Sequence, residues 1–226
     1  MAAFCLIHGS TQSPRGWDLL VAELQRHGHQ VLLADLPAGV TQLPAHAFCD
    51  AILASCASAD DVILVAHSMS GLFLPLVAQS PRVRKVVYEA AMIPPLGISP
   101  MQMVRSNPSM FNPEWVGKDP TRDARVAREF LFHDCSPQVA EWALSTLRLM
   151  IPMRVLNEPI PIQELSPKPS AYIVCRDDRT ILPDRSRCQA RACLEVEPME
   201  LPGGHCPHVS RPAQLAELLD ALACDS

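Results

Sequence analysis

The sequence predicts an α/β fold: a mostly parallel sheet of about six strands, with helices on both faces and a helical cap insertion. Two observations lead to this prediction. Short apolar runs alternate with segments of helical periodicity, and the run at residues 62–66 is apolar at nearly every position. A strand that is covered by helices on both faces has this character. The alternation stops between residues 93 and 169, where a proline-rich segment with two helical patterns replaces it.

The chain has 226 residues, a length that is typical of one large α/β domain. We therefore predict a single domain over residues 1–226, with the helical cap inserted at about residues 93–169. A globular chain of this size buries roughly 70–75% of its extended surface, so its core needs no disulfide or metal to be stable.

Four strands are predicted before the cap, with helices between them. The strands lie at residues 4–7, 30–34, 62–66 and 83–88. The first helix has an apolar face that is formed by Trp17, Leu20, Val21 and Leu24. The second helix is predicted at residues 45–56 and the third at residues 71–79, where Pro75 should bend it.

The cap and the C-terminal part complete the predicted order. One cap helix lies near residues 122–132, and another starts at the N-cap Ser136 and extends to about Met150. Strands follow at residues 171–175 and, more weakly patterned, at residues 194–199. A final helix begins near Pro212 and has an apolar leucine face.

Composition excludes several classes of protein. With 48% hydrophobic residues and a net charge of −5, the chain is not intrinsically disordered. It has 19 basic against 24 acidic residues, a balance that argues against nucleic-acid binding. No apolar run approaches the ~20 residues of a membrane span. The N-terminal apolar run is too short for a signal peptide, and nine cysteines without a Cys-x-x-Cys pair indicate reduced thiols, so we expect a cytoplasmic protein.

The segment at residues 62–71 carries the clearest chemical signal. It places Ser68 between a strand and a helix, with the small residues Ala66 and Ser70 two positions before and after it. A sharp turn of this kind lifts a nucleophilic hydroxyl above the sheet edge and requires small neighbours. The alternative is that Ser68 simply caps the helix.

A serine nucleophile needs a histidine base and an orienting acid, and hydrolases of this type carry them in the order serine, acid, histidine. His205 lies in a glycine-containing loop between the last strand and the last helix, and His208 is its competitor. For the acid we favour Asp178, which precedes an apolar residue and a proline after strand 171–175. Asp177 is then a turn-forming neighbour, and Glu89 remains the fallback acid one strand earlier.

A serine nucleophile that attacks a carbonyl group also requires N–H donors for the developing oxyanion. The backbone N–H of Met69 directly follows the nucleophile and supplies one donor. The other is expected from the N–H of Ser10, because Gly9 allows a tight turn after the first strand.

Taken together, these segments resemble the α/β-hydrolase family, in particular its compact esterase and hydroxynitrile-lyase branch. The resemblance rests on Leu6 to Gly9, Trp17, Ala66 to Gly71, Asp178 to Pro183 and Gly204 to His208. It implies an α/β-hydrolase fold, with Ser68 as nucleophile, His205 as base and Asp178 as its partner. Lyases of this branch carry a lysine directly after the catalytic histidine, where this chain has Cys206, so the resemblance favours ester hydrolysis over cyanohydrin cleavage.

Other types of site are less well supported. A metal site could be formed around His205, Cys206 and His208, but no second pair with zinc-ligand spacing exists. A dinucleotide site would need a Gly-x-Gly-x-x-Gly loop after the first strand, which is absent. A ligand receptor or signalling protein on the same fold remains an alternative, because receptors of this fold can retain a complete triad.

The sequence thus predicts a serine hydrolase of the carboxylesterase type that cleaves small or medium, largely apolar carboxylic esters through an acyl-enzyme. We expect the pocket to be lined in part by Gly9, Met69 and Leu72. A small-molecule ester is the expected partner, and neither a cofactor, a metal, a nucleic acid nor a membrane is expected.

Overall fold

The computed structural model describes residues 1–165 and 167–224 and contains one six-stranded parallel sheet in the order β2-β1-β3-β4-β5-β6. This confirms the predicted fold class. The strands are β1 (Ala3–Ile7), β2 (Gln30–Ala34), β3 (Val62–His67), β4 (Val83–Glu89), β5 (Ser170–Cys175) and β6 (Met199–Leu201). Helices between the strands cover both faces of the sheet, as the β-α-β pattern requires.

Ten α-helices accompany these strands in the described part of the chain. Their bounds are α1 (Asp18–Arg26), α2 (Ala45–Ser55), α3 (Leu74–Val77), α4 (Pro100–Ser106), α5 (Ala124–Phe130), α6 (Pro137–Leu144), α7 (Met153–Asn157), α8 (Pro183–Leu194), α9 (Pro207–Ser210) and α10 (Pro212–Cys224). Helices α4 to α7 lie between β4 and β5, in the segment where the strand–helix alternation of the sequence stops.

Two hydrophobic layers hold the sheet. On one face, side chains of β1 and β3 pack with Phe48 of α2 and with Phe73. On the other face, alternate side chains of the same strands pack with Trp17, Leu20 of α1 and Leu219 of α10. Every residue of β1 and β3 is therefore buried, which explains why these strands are apolar at successive positions.

The segment after β3 differs from the predicted helix at residues 71–79. The chain first forms a 3₁₀ turn, Ser68–Phe73, and α3 spans only Leu74–Val77. Pro75 lies in the first turn of α3, where its missing N–H breaks no helical hydrogen bond, so it helps to start this helix instead of bending a longer one.

The strand predicted at residues 194–199 is also wrong in position. Leu194 is the last residue of α8, and Glu195 ends this helix in a left-handed conformation with φ of 57°. The strand begins only at Met199. A helix can end at a left-handed residue, and apolar patterning does not report where this happens.

Helix α6 begins at the predicted N-cap, since the Ser136 hydroxyl accepts a hydrogen bond from Val139 N–H. It ends at Leu144 and does not reach Met150 as predicted. The hydroxyls of Ser145 and Thr146 donate to carbonyls of the last helical turn at 2.7 Å, which satisfies the helix end. The chain then pairs residues 147–150 with the loop at residues 10–12.

None of the helices in the described part of the chain combines the length and the apolarity that a bilayer crossing needs.

The structure leaves no space for a side chain at Gly71. A Cβ added there would lie 2.3 Å from the backbone oxygen of Met92 and 3.0 Å from the side chains of Ala91 and Tyr88. We expect Gly71→Ala to lower the free energy of unfolding by about 1–3 kcal/mol or more, measured by urea denaturation. Gly16→Ala is the matched control, because its nearest neighbour would be 3.8 Å away. Equal stability of the two variants would show that the space around Gly71 is not limiting.

Candidate active site

Ser68 stands at the end of β3 in a strained conformation. Its φ is 57°, in the left-handed region that residues with a side chain rarely adopt. The Met92 N–H donates to the Ser68 carbonyl at 2.9 Å, and a Cβ on Gly9 would lie 3.0 Å from the Ser68 Cβ. A narrow turn between two close backbone segments thus holds the Ser68 hydroxyl at the carboxyl edge of the sheet.

The structure brings together the three side chains that the sequence singled out. The Ser68 hydroxyl lies 3.0 Å from His205 Nε2, and His205 Nδ1 lies 2.7 Å from Asp178 Oδ2. His205 and Asp178 are only 3% and 5% exposed, whereas Ser68 is half-buried. The carboxylate accepts, so His205 carries its proton on Nδ1 and presents the Nε2 lone pair to the serine hydroxyl.

Asp178 is fixed by the turn after β5. Its Oδ1 accepts hydrogen bonds from the Thr180 N–H at 2.7 Å, the Thr180 hydroxyl at 2.9 Å and the Ile181 N–H at 3.2 Å. Three donors on one oxygen leave the other oxygen directed at His205. Asp177, the neighbouring candidate, is exposed, and its Oδ2 accepts from the Gly203 N–H at 2.9 Å. Asp177 therefore links the loop after β5 to the loop after β6.

Glu89, the fallback acid, contacts a different histidine. Its Oε1 lies 2.7 Å from His208 Nδ1, and both side chains are completely buried. The two acids thus pair separately, Asp178 with His205 and Glu89 with His208. His208, the competing histidine, is held by this pair and by its contact with the Trp17 ring, at 4.2 Å between ring centroids.

Ser10 and Met69, the predicted oxyanion donors, come after β1 and directly after Ser68 respectively. The Gly9 carbonyl accepts from His8 Nδ1 at 2.9 Å. In a trans peptide the C=O and the next N–H point in opposite directions, so His8 also fixes the direction of the Ser10 N–H. The Ser10 carbonyl accepts from the Met150 N–H at 2.6 Å, which holds the other side of the residue.

Ser70, which stands where hydrolases of this type usually have glycine, has its own contact. Its hydroxyl donates to the His8 carbonyl. The serine therefore links the nucleophile turn to the end of β1 and is accommodated without opening the turn.

Two buried histidines of the site are neutral. Burial lowers the pKa of His8 to about 4, and its Nε2 accepts from the Leu36 N–H at 3.2 Å. Arg148 Nη2 also lies 3.2 Å from this atom. Burial lowers the pKa of His67 well below its usual value, and the neighbouring imidazoles of His205 and His208 act in the same direction.

The predicted pocket residues differ in their surroundings. Gly9 borders Ser68, since a Cβ added at Gly9 would lie 3.0 Å from the Ser68 Cβ. Leu72 is completely buried in the core beneath the turn, so a ligand could reach it only after a movement of the chain. Met69 is almost completely buried as well.

Cys206 occupies the position where the lyase branch carries a lysine. It is completely buried, with the Gln12 amide 3.3 Å from its sulfur. Burial raises the pKa of this thiol well above its usual value, so the residue is uncharged.

Sequence reasoning missed several residues that shape this site. The His8 side chain bonds to the Gly9 carbonyl, and the Thr180 hydroxyl bonds to the Asp178 carboxylate. His67 donates from Nε2 to the His205 carbonyl at 2.9 Å. The Asp-x-Thr spacing of residues 178–180 is a signal that could have identified Thr180, because an aspartate often accepts from the residue two positions later. His67 and His8 had no such local signal.

Comparison with known proteins places the chain in a family. The family model described as "Alpha/beta hydrolase family" matches residues 6–218. This chain belongs to the alpha/beta hydrolase family. The resemblance inferred from the sequence is thereby confirmed.

Two curated relatives match this alpha/beta hydrolase over nearly the whole of both chains. An alpha/beta hydrolase, nvfD, of Aspergillus novofumigatus is 24% identical, over 96% of this chain and 94% of its own length. Methylesterase 2 of Arabidopsis thaliana is 25% identical, over 97% of this chain and 95% of its own length.

Solved structures agree with the fold. A variant of polyneuridine aldehyde esterase has a TM-score of 0.82 at 18% identity, covering 98% of this chain and 99% of its own. A pyrethroid hydrolase from Sphingobium faniae JZ-2 has a TM-score of 0.78 at 22% identity, covering 99% and 98%. This alpha/beta hydrolase therefore has the architecture of known esterases.

The neutral state of His8 predicts a pH dependence of stability. In the unfolded chain a histidine takes up its proton near pH ~6.5, whereas the folded protein resists protonation until about pH 4. The unfolded state thus binds more protons between these values, and stability falls as the pH falls. From pH 7 to pH 5 we expect a loss of about 2 kcal/mol from His8 alone, measured by urea denaturation.

His8→Asn should flatten this dependence, because the amide can keep the bond to the Gly9 carbonyl without a group that titrates. His46→Asn is the control, since His46 is exposed. The same pH slope in all three proteins would show that His8 is not responsible.

Proposed function

We propose that this alpha/beta hydrolase is a serine carboxylesterase that cleaves small or medium, largely apolar carboxylic esters through an acyl-enzyme intermediate. The hydrogen-bond chain from Ser68 through His205 to Asp178 carries the proposal. Curated relatives and structural neighbours that are named as esterases support it.

In the first step the Ser68 oxygen attacks the ester carbonyl while His205 Nε2 accepts the hydroxyl proton. The carbonyl π electrons move to the oxygen, which the N–H groups of Ser10 and Met69 stabilise. When the tetrahedral intermediate collapses, the C–O bond of the alcohol breaks and His205 returns its proton to the leaving oxygen.

In the second step His205 takes a proton from water, and the hydroxide attacks the acyl carbon. The bond to the Ser68 oxygen then breaks, the acid leaves, and the serine regains its proton. Asp178 stays ionised throughout, orients the imidazole and stabilises the imidazolium that forms twice in each cycle.

The substrate class is inferred from the charges near the base. The neutral thiol of Cys206 is next to His205 in the chain, so this position offers no cation that could stabilise a cyanide leaving group. Directly after the nucleophile, Met69 is apolar and 6% exposed. We therefore infer uncharged acyl and alcohol groups, an action on small molecules in the cytoplasm, and no need for a cofactor.

Ser68→Ala is expected to abolish hydrolysis of a p-nitrophenyl ester, because the attacking oxygen is removed. Residual rates should be at least about 10³-fold lower, measured by release of p-nitrophenol. Wild type, but not this variant, should react with a fluorophosphonate, and peptide mapping should locate the label on Ser68. Ser58→Ala is the control, since Ser58 is exposed and lies outside the site.

Labelling elsewhere, or full activity of the folded Ser68→Ala protein, would refute the mechanism. A labelled wild type without turnover of any aryl ester would favour the receptor alternative.

Asp178→Asn is expected to lower kcat by about 10⁴-fold, because an amide in place of the carboxylate favours the wrong imidazole tautomer. Asp177→Asn is the matched control, since its amide oxygen can still accept from Gly203. The two variants should differ in kcat and not in fold, which circular dichroism would check. If both retained full activity, Asp178 would not be the partner of His205.

A further inference from the structure

We propose that His67 and the Glu89–His208 pair are positioning residues, which hold the loop of His205 at a fixed distance from Ser68. The inference rests on the proposed function, since it assigns how the nucleophile and the base are kept together.

His67 links the two reacting residues directly. It precedes Ser68 in the chain, and its Nε2 lies 2.9 Å from the His205 carbonyl oxygen. A carbonyl only accepts, so His67 Nε2 carries the proton and donates it. The side chain of one residue in the nucleophile turn is thus bonded to the backbone of the base, and His67 is 2% exposed, so water does not compete for this bond.

Glu89 and His208 form a second link one strand further along. His67 and Glu89 are register partners at the ends of β3 and β4. Glu89 accepts from His208 Nδ1 at 2.7 Å, three residues after His205. The loop of His205 is therefore bonded to both central strands, once at the carbonyl of the base and once at His208.

The rings between these bonds are packed against each other. The His67 ring centroid lies 4.6 Å from that of His205 and 4.7 Å from that of His208. On its other side the His208 ring packs on Trp17, with the ring centroids 4.2 Å apart. A shift of the His205 ring would therefore disturb its packing on His67.

The beginning of the same loop is held by acids on the opposite side. The Gly203 N–H donates to Asp177 at 2.9 Å and the Gly204 N–H donates to Asp134 at 3.0 Å. These bonds fix where the loop leaves β6. His67 and Glu89 fix where it passes the nucleophile, which is the part that sets the distance between serine and histidine.

The polar cluster is only partly hydrogen-bonded. Among the described residues, His67 Nδ1, Glu89 Oε2 and His208 Nε2 are buried and have no hydrogen-bond partner. A buried polar atom without a partner costs about 1–3 kcal/mol. Apolar side chains of similar volume in these positions would often give equal or higher stability, so stability alone does not account for the cluster.

The same three residues have ligand-type atoms within 4.8 Å of one another, which raises the question of a metal ion. The observed contacts assign hydrogen bonds to some of these atoms. Two atoms that are each about 2.0–2.2 Å from a tetrahedral zinc ion are more than about 3 Å apart, so Glu89 Oε1 and His208 Nδ1, at 2.7 Å, share a proton and not an ion. His67 Nε2 is in addition directed at a carbonyl oxygen.

His67 is tested by a pair of variants. In His67→Gln the amide nitrogen can take the place of Nε2 and donate to the His205 carbonyl; in His67→Leu the donor is lost. We expect His67→Leu to lower kcat by about 10- to 100-fold with KM changed less than about twofold, because a displacement of about 1 Å at a reacting group has this effect. His67→Gln should recover most of the loss.

The Glu89–His208 pair is tested by removing both partners together. Glu89→Leu/His208→Leu leaves no buried charge alone, so we expect a melting temperature equal to or above that of the wild type. Its kcat should nevertheless fall about 10-fold or more. The exposed pair of Arg191 and Glu197, 2.9 Å apart, provides the control: replacing both by alanine should leave kcat unchanged.

Rates of fluorophosphonate labelling at Ser68 distinguish failure of the positioning role from failure of the proposed function. Labelling that is slowed in His67→Leu and in the double leucine variant, together with the recovery in His67→Gln, supports the positioning role. If wild type and both leucine variants are labelled equally fast, the positioning role is overturned and the proposed function stands. A wild type that is not labelled overturns both. Loss of wild-type activity with EDTA would overturn the positioning role in favour of a metal site.

Discussion

The site depends on the buried hydrogen bond between His205 Nδ1 and Asp178. It places the imidazole proton on one nitrogen and thereby leaves the other nitrogen free to accept from Ser68. Because both side chains are nearly inaccessible to water, the charge on Asp178 must be stabilised by protein groups, and Thr180 and Ile181 supply the donors. The tight turn after β5 is thus part of the chemistry and is not only a connection between β5 and α8.

The fold places this bond where it is needed. All six strands are parallel, so the ends of β3, β4 and β5 lie at one edge of the sheet. Ser68, Glu89 and Asp178 lie at or just after the ends of these strands, and the loop after β6 brings His205 and His208 back over them. Each of the two acids can therefore meet a histidine of that loop, and the separate pairing of Asp178 and Glu89 results from their lateral order in the sheet.

The sequence was sufficient to predict most of the strands and to single out Ser68, Asp178 and His205 in this order. These features depend on apolar runs and on the polar residues directly after them. The sequence failed where side-chain hydrogen bonds, which apolar patterning does not report, end or connect elements. Helix α6 stops early because the hydroxyls of Ser145 and Thr146 satisfy its last carbonyls. The link between His67 and the His205 carbonyl could not be predicted, because it joins residues 138 positions apart and depends on how the loop folds back.

The pairing of residues 147–150 with residues 10–12 has a consequence for how substrate can enter. The Met150 N–H donates to the Ser10 carbonyl and the Arg148 N–H donates to the Thr11 carbonyl, so the insertion is attached to the loop that contains the proposed oxyanion donor of Ser10. If the insertion moved outward at this pairing, it would displace that N–H. Under the proposed function, substrate entry would therefore require a movement elsewhere, or these two hydrogen bonds would have to form again before the reaction.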